Sequence, residues 1–300
     1  MEEIDNGNEK IKINPYNFNN KLLTKNNLQS ILSNYDVNYE ITDLSTYQQA
    51  FVHKSYCKKD PEENQNDDVE LAEKPEGCLE LQEKDNEQLE FLGDSIISSV
   101  IANYLYDRYY GQDEGFMTRL RTKIVNGESL GKLAGELDFG KYLLISRHVE
   151  DRCNGRSSTR ILEDVFEAFI GAIFLDFNKS KLNTGILSNT YSGIGFQIAE
   201  MFIINVIEDK IDFSELILKD YNYKDQLLRY FQQLYQETPK YKEVCSEGPP
   251  HDRTFTMCVE APNGDIIAEG IGRSKKKAEQ LASKNALIKY KVIENISDDI

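Results

Sequence analysis

Apolar residues recur at helical spacing over the first two thirds of the chain. Leu28, Ile31 and Leu32, then Leu44, Tyr47, Ala50 and Phe51, follow a 3.6-residue period and predict helices within 27–57. Leu89, Phe91, Leu92, Ile96, Ile97, Val100 and Ile101 predict a largely buried helix over 87–110. Apolar positions at helical spacing return over 127–144, ending in a turn at 139–143. Residues 161–175 read ILEDVFEAFIGAIFL, a second almost wholly apolar helix whose Gly171 and Ala172 allow another helix to come close. Residues 178–190 read as a linker or turn, and Ile194, Phe196, Ile198, Ala199, Phe202 and Val206 predict a helix within 194–218. The pattern then changes. A helix is predicted from Tyr223, followed by strand-like runs at 241–245, 254–260 and 266–270, with Asn263-Gly264 as the hairpin turn between the last two. A final helix is predicted from Ser274. The expected organisation is an all-α domain over 27–218 and a smaller α-β-β-β-α domain over 220–292, in keeping with the two domains expected of 300 residues.

Polar stretches separate these elements. Residues 1–26, rich in Asn and Lys, predict a disordered or weakly ordered tail. Residues 58–86 carry eleven acids against four lysines and predict a solvated acidic loop. Thr118 is expected to cap a helix bearing Arg119, Arg121 and Lys123. The net charge of −16 argues against a simple nucleic-acid binder, but residues 220–292 hold twelve Lys/Arg against ten Asp/Glu, so the acidity lies outside the C-terminal domain. No apolar run is long enough to span a membrane, and the first residues lack a secretory pattern. Cys57, Cys78, Cys153, Cys245 and Cys258 show no Cys-x-x-Cys pairing. They read as reduced thiols of an intracellular, soluble protein, with the cytoplasm as the expected compartment.

The chemistry concentrates on the two apolar helices. Glu87, Glu90 and Asp94, at i, i+3 and i+7, share one helix face, and Asp164 and Glu167 are i, i+3 neighbours on the other. Carboxylates on largely buried helices repel one another and lose solvation unless a cation sits among them. A solvated charged stripe is the plain alternative. A di-iron carboxylate bundle needs Glu-x-x-His motifs, and none of His53, His148 and His251 follows a Glu by three residues. An all-oxygen site for Mg²⁺ or Mn²⁺, as used in phosphoryl chemistry, fits better.

Residues 87–95, EQLEFLGDS, resemble the signature of the ribonuclease III family, and DVFEA at 164–168 resembles that family's second acidic motif. The resemblance extends from about residue 27 to about residue 290, because GPPH at 248–251, GIGRSKKK at 270–277 and AEQLA at 278–282 resemble a double-stranded-RNA-binding domain. It implies an endoribonuclease that hydrolyses double-stranded RNA by metal-activated water, with staggered cuts leaving 5′-phosphate and 3′-hydroxyl ends. Glu90, Asp94, Asp164 and Glu167 would form the catalytic metal site, Glu167 being best placed to touch or bridge two Mg²⁺ ions, with Mn²⁺ able to substitute. Glu87 would support the site or contact RNA, and Glu114 is either a supporting or RNA-facing residue or a surface turn acid. Arg160 stands one turn before Asp164, where some family members carry a lysine near the scissile phosphate. Glu163 replaces a small residue and either points away or perturbs the site. One site per domain implies a homodimer formed through the catalytic domain.

The 146–159 loop, with Arg147, Arg152 and Arg156, is either solvated or lies against RNA phosphates, and His53 reads as a structural hydrogen-bonder. Lys275, Lys276 and Lys277, in the first turn of a helix, are expected to face phosphates, and His251 to reach a minor groove. Leu228-Arg229 replaces the usual Gln-Glu of the first helix, with Gln232 and Gln233 as substitutes. Two other classes compete. One is a catalytically silent double-stranded-RNA-binding protein that sequesters RNA, which would lose acids from the first domain. The other is a scaffold led by the acidic loop.

Overall fold

In the computed structural model, which describes residues 11–58, 69–179, 193–218, 223–248 and 253–293, the periodic apolar residues become the faces of packed helices. The elements of the first part are β1 (Ile11–Ile13), α1 (Lys25–Ser33), α2 (Leu44–Ala50), β2 (Val69–Leu71), α3 (Glu87–Arg108), α4 (Glu114–Ile124), α5 (Gly127–Glu136), α6 (Arg147–Cys153), α7 (Thr159–Lys179) and α8 (Ile194–Lys210). The chain divides between Phe213 and Ser214 into two compact units, with α9 (Phe213–Leu218) at the division. Helix α7 is the axis of the first unit and packs against α2, α3, α5 and α8. Phe51, Phe139, Phe169 and Phe202 are fully buried around it, with ring centroids 4.9 to 6.0 Å apart from Phe51 to Phe139 to Phe169 to Phe202 and between Phe51 and Phe169. Phe51 meets Phe139 and Phe169 edge-on, Phe169 meets Phe139 and Phe202 at a tilt, and such ring contacts add to the burial of the rings.

The closest approach is between α3 and α7. A Cβ placed on Gly171 would lie 2.5 Å from the Leu89 carbonyl oxygen, and one on Gly93 would overlap the carbonyl of Glu167. The two helices therefore touch backbone to backbone, and only glycine fits at the crossing. Helix α2 is held by both of them. The Asn86 side chain at the start of α3 donates to the Ala50 carbonyl at 3.2 Å, and the buried Asp176 of α7 accepts from the Asp43 amide at 2.9 Å, just before α2 begins.

Three polar stretches are more ordered than their composition suggests. In 11–26, expected to be a weakly ordered tail, β1 pairs in parallel with β2, and Tyr16, Asn17, Asn20 and Leu23 are buried. The asparagines hold this stretch down. Asn20 exchanges hydrogen bonds with the backbone of Ile145, and Asn17 and Asn19 donate to Glu150. The 58–86 loop lies in part outside the described residues, but its second half returns to the core, where Cys78 and Leu81 pack with Tyr16, Val52, Tyr56 and Leu144. Arg156 is engaged within the fold. Its guanidinium donates to the Gly140 and Leu143 carbonyls and to Asn20, and pairs with Glu150 at 3.0 Å. Arg147 pairs with Asp151 at 3.3 Å. Thr118 is not a cap: α4 starts four residues earlier, capped by Asp113.

The second unit contains α10 (Tyr223–Tyr235), β3 (Lys240–Glu247), β4 (Thr254–Glu260), β5 (Ile266–Gly272) and α11 (Lys275–Lys289). The sheet is antiparallel in the order β3-β4-β5, with Tyr241 opposite Val259 and Val259 opposite Ala268. Gly264 takes the left-handed conformation at φ +87° that its hairpin turn requires. Leu227, Phe231, Val259, Ile267, Ala282, Ala286 and Leu287 form the core between helices and sheet. The fold is thus an all-helical domain, apart from the short β1–β2 pair, followed by an α-β-β-β-α domain. Among the described residues no helix is long and apolar enough to cross a membrane.

Replacing Gly93 with Ala should force α3 and α7 apart and destabilise the first unit by about 3 kcal/mol. Urea unfolding checks this, and an unchanged midpoint would contradict the backbone contact.

Candidate active site and nucleic-acid interface

The crossing at Gly93 and Gly171 decides where the acids meet. Glu87 and Glu90 lie in the first turn of α3, where the positive end of the helix dipole favours them, and Asp94 follows one turn on. Asp164 and Glu167 lie on the α7 side of the crossing. Glu167 is 8% exposed, and among the described residues no hydrogen bond or ion pair ends on its carboxylate. Burial pushes its pKa up to about 8, reinforced by the charges of Asp94, Glu163, Glu90 and Asp164. Burial also raises Glu90, with help from Asp164, Glu87 and Glu163. Asp164 is raised by burial against the opposing pull of Arg160 and Lys54.

The structure therefore brings Glu87, Glu90, Asp94, Glu163, Asp164 and Glu167 into one electrostatic group. The carboxylates remain spread: among the described residues no three acidic, His or Cys side chains stand close enough together to share one metal ion. Two cations border the group. Lys54 pairs with Glu87 at 3.0 Å, both side chains being more than half exposed, and Arg160 is exposed on the first turn of α7. An exposed pair of this kind contributes little stability. Glu114 is exposed at the start of α4, where its carboxylate accepts a hydrogen bond from Thr118 at 2.7 Å. His53 accepts the Ser55 amide on Nδ1, a structural role.

Sequence reasoning gave Lys54 no role. It lies 33 positions from Glu87, and no periodicity connects them. Glu163 stands out in the sequence only as a departure from a pattern. Its carboxylate lies against Gly127 at the start of α5, where a side chain on residue 127 would collide with it.

In the second unit, Ser274 caps α11 by accepting from the Lys277 amide. Lys276 and Lys277 are exposed in the first turn. Lys275 differs: it pairs with Glu243 of β3 at 2.6 Å and stands 5.8 Å from the Phe255 ring. Arg229 pairs with Asp225 at 2.8 Å on the α10 surface, and Gln232 and Gln233 are exposed there. His251 lies outside the described residues.

A family model described as Ribonuclease-III-like matches residues 43–193, and one described as Double-stranded RNA binding motif matches residues 223–290. Curated relatives include a probable ribonuclease 3 of Acanthamoeba polyphaga mimivirus, 34% identical over 94% of this chain. This chain spans about half the length of that relative, 48%. Ribonuclease 3 of Listeria welshimeri is 34% identical over 84% of this chain and 93% of its own length. That of Borreliella burgdorferi is 33% identical over 91% and 94%.

The raised Glu167 carboxyl makes a pH prediction. Its ordinary pKa is 4.5 and its folded value is about 8, so between these the folded chain holds a proton that the unfolded chain has released. Stability contributed by this group is full below about 4.5 and is lost as pH rises through about 8. In buffer containing a chelator, the wild-type urea midpoint should fall across this window more steeply than that of Glu167→Gln. Parallel profiles would contradict the assignment.

Proposed function

Because this chain belongs to the ribonuclease III family, we propose that it is an endoribonuclease acting on double-stranded RNA. The observation that carries the reading is the buried, unpartnered Glu167, beside Asp164 on its own helix and facing the charges of Glu90 and Asp94 across the α3–α7 crossing. A buried carboxylate among like charges is stable when a cation neutralises it. An all-carboxylate donor set suits a hard cation, Mg²⁺ or Mn²⁺, and Glu90, Asp94, Asp164 and Glu167 would hold it once their carboxylates, too spread here for three to share one ion, draw in around it. When bound, the cation supplies Lewis-acid chemistry, activating water and neutralising charge at the phosphate.

The remaining residues orient the RNA. Arg160, exposed one turn before Asp164, offers a guanidinium to the backbone phosphate. Glu87, paired with Lys54, keeps that ammonium at the edge of the acids. The products would be staggered ends with 5′-phosphate and 3′-hydroxyl groups. One acidic group per chain cuts one strand, so cutting both calls for a homodimer. Phe91, on the α3 turn that carries Glu90 and Asp94, is 79% exposed and offers an apolar anchor for a second copy. The second unit would hold the duplex through Lys276 and Lys277, with Lys275 braced by Glu243 and His251 reaching the minor groove.

A labelled RNA duplex incubated with Mg²⁺ should be cut by the wild type. Glu167→Gln should lose more than about 100-fold in rate while still binding the duplex. Tight binding without cutting by the wild type, in Mg²⁺ or Mn²⁺, would favour a sequestering protein instead. Replacing Lys276 and Lys277 together with Ala should weaken duplex binding about equally for all sequences. It should also lower the slope of log affinity against log salt by about 2. An unchanged slope would remove these lysines from the interface.

A further inference from the structure

Among the described residues, an ion pair ends on Lys275 of the α11 run and none on Lys276 or Lys277. Gly272 sets this difference up. A Cβ there would lie 2.7 Å from the Ala278 amide nitrogen and 3.0 Å from the Lys277 Cβ, so the first turn of α11 rests directly on the end of β5. Gly272 stands opposite Phe255 in the sheet, which brings that turn beside β4. The Lys275 ammonium stands 5.8 Å from the Phe255 ring centroid and reaches Glu243 of β3 at 2.6 Å. Glu243 stands opposite Met257, two residues from Phe255 on β4, so it shares that ring's face of the sheet. Lys275, and after it Ser246 and Arg253, hold the Glu243 carboxyl below its usual range, so it is ionised at neutral pH. Both side chains remain in contact with water, 58% exposed for Lys275 and 35% for Glu243. The fold therefore gains little from the pair.

A lysine attracts RNA because it meets a phosphate and sends a condensed cation back to the solvent. A lysine already neutralised by its own chain's carboxylate brings no net charge and releases no cation. We propose that Glu243 restrains the grip of the second unit on double-stranded RNA, by occupying the Lys275 ammonium that a phosphate would otherwise take. The run at 275–277 then acts on the duplex with two charges where the sequence carries three. The inference rests on the reading of the α11 lysines as part of the duplex interface. An enzyme that cuts duplex also has to release it, and a withheld phosphate contact speeds that release.

The test is binding of a labelled RNA duplex by the full chain in chelator, which holds off metal-dependent cutting, from about 0.1 M to about 1 M salt. Glu243→Gln keeps an oxygen for the ammonium and removes only the charge. It should steepen the slope of log affinity against log salt by about 0.9, as one further cation is released. Binding at about 0.1 M salt should tighten by up to about eightfold, and the gain should fade toward about 1 M. Lys275→Ala should change the slope little in the wild type, and should abolish the gain when combined with Glu243→Gln. Melting temperatures of these variants should stay near that of the wild type, since an exposed pair contributes little. A slope unchanged by Glu243→Gln overturns the proposal. So does a gain that survives without Lys275, which would make Glu243 a merely repelling charge. If replacing Lys276 and Lys277 together with Ala leaves duplex binding unchanged, α11 is not the interface, and the reading beneath this one falls with it.

Discussion

The backbone contact between α3 and α7 governs the first unit. Two helices bearing side chains at their crossing keep their axes 8 to 10 Å apart. Gly93 and Gly171 remove that spacer from both sides, so the carbonyls of Leu89 and Glu167 occupy the space side chains would need. The acids flank these glycines: Glu90 and Asp94 on α3, Asp164 and Glu167 on α7. Their proximity follows from the crossing, since like charges would not assemble by themselves.

That assembly works against the fold's own electrostatics. Burial and mutual repulsion raise Glu90, Asp164 and Glu167 together, the largest effect falling on the most buried, Glu167. The surrounding packing sustains the strain. The aromatic cluster of Phe51, Phe139, Phe169 and Phe202 encloses α7, and α2 is clamped between Asp176 of α7 and Asn86 at the head of α3. In the second unit Lys276 and Lys277 remain exposed on the first turn of α11, where water solvates them.

The N-terminal stretch contributes in a way its composition conceals. Asn17, Asn19, Asn20, Glu150 and Arg156 form a network over the backbone of 140–145, and Arg156 itself stands three residues ahead of α7. Asparagine suits this task because its amide can donate and accept at once, as Asn20 does with Ile145. An asparagine-rich segment that resembles a solvated tail thereby fixes the approach to the helix carrying Asp164 and Glu167.

Much was legible in the sequence because it is local. The 3.6-residue period marks which face of each helix is buried. The i, i+3, i+7 spacing places Glu87, Glu90 and Asp94 on one face, and Asn263-Gly264 and Ser274 carry their turn and cap in their own chemistry. What periodicity could not supply was the identity of the neighbours. The depth of Glu167, the seating of Glu163 on Gly127, the Lys54–Glu87 pair and the capture of Arg156 by Asn20 and Glu150 each depend on segments far apart along the chain. So does the pairing of Lys275 with Glu243, which makes one lysine of three differ from its neighbours. A sequence by itself states that a residue is charged and which way its helix turns it. Whether that charge ends among water, cations or other acids was decided only when α3, α5 and α7 packed together, because solvation and Coulomb energy depend on distance in space.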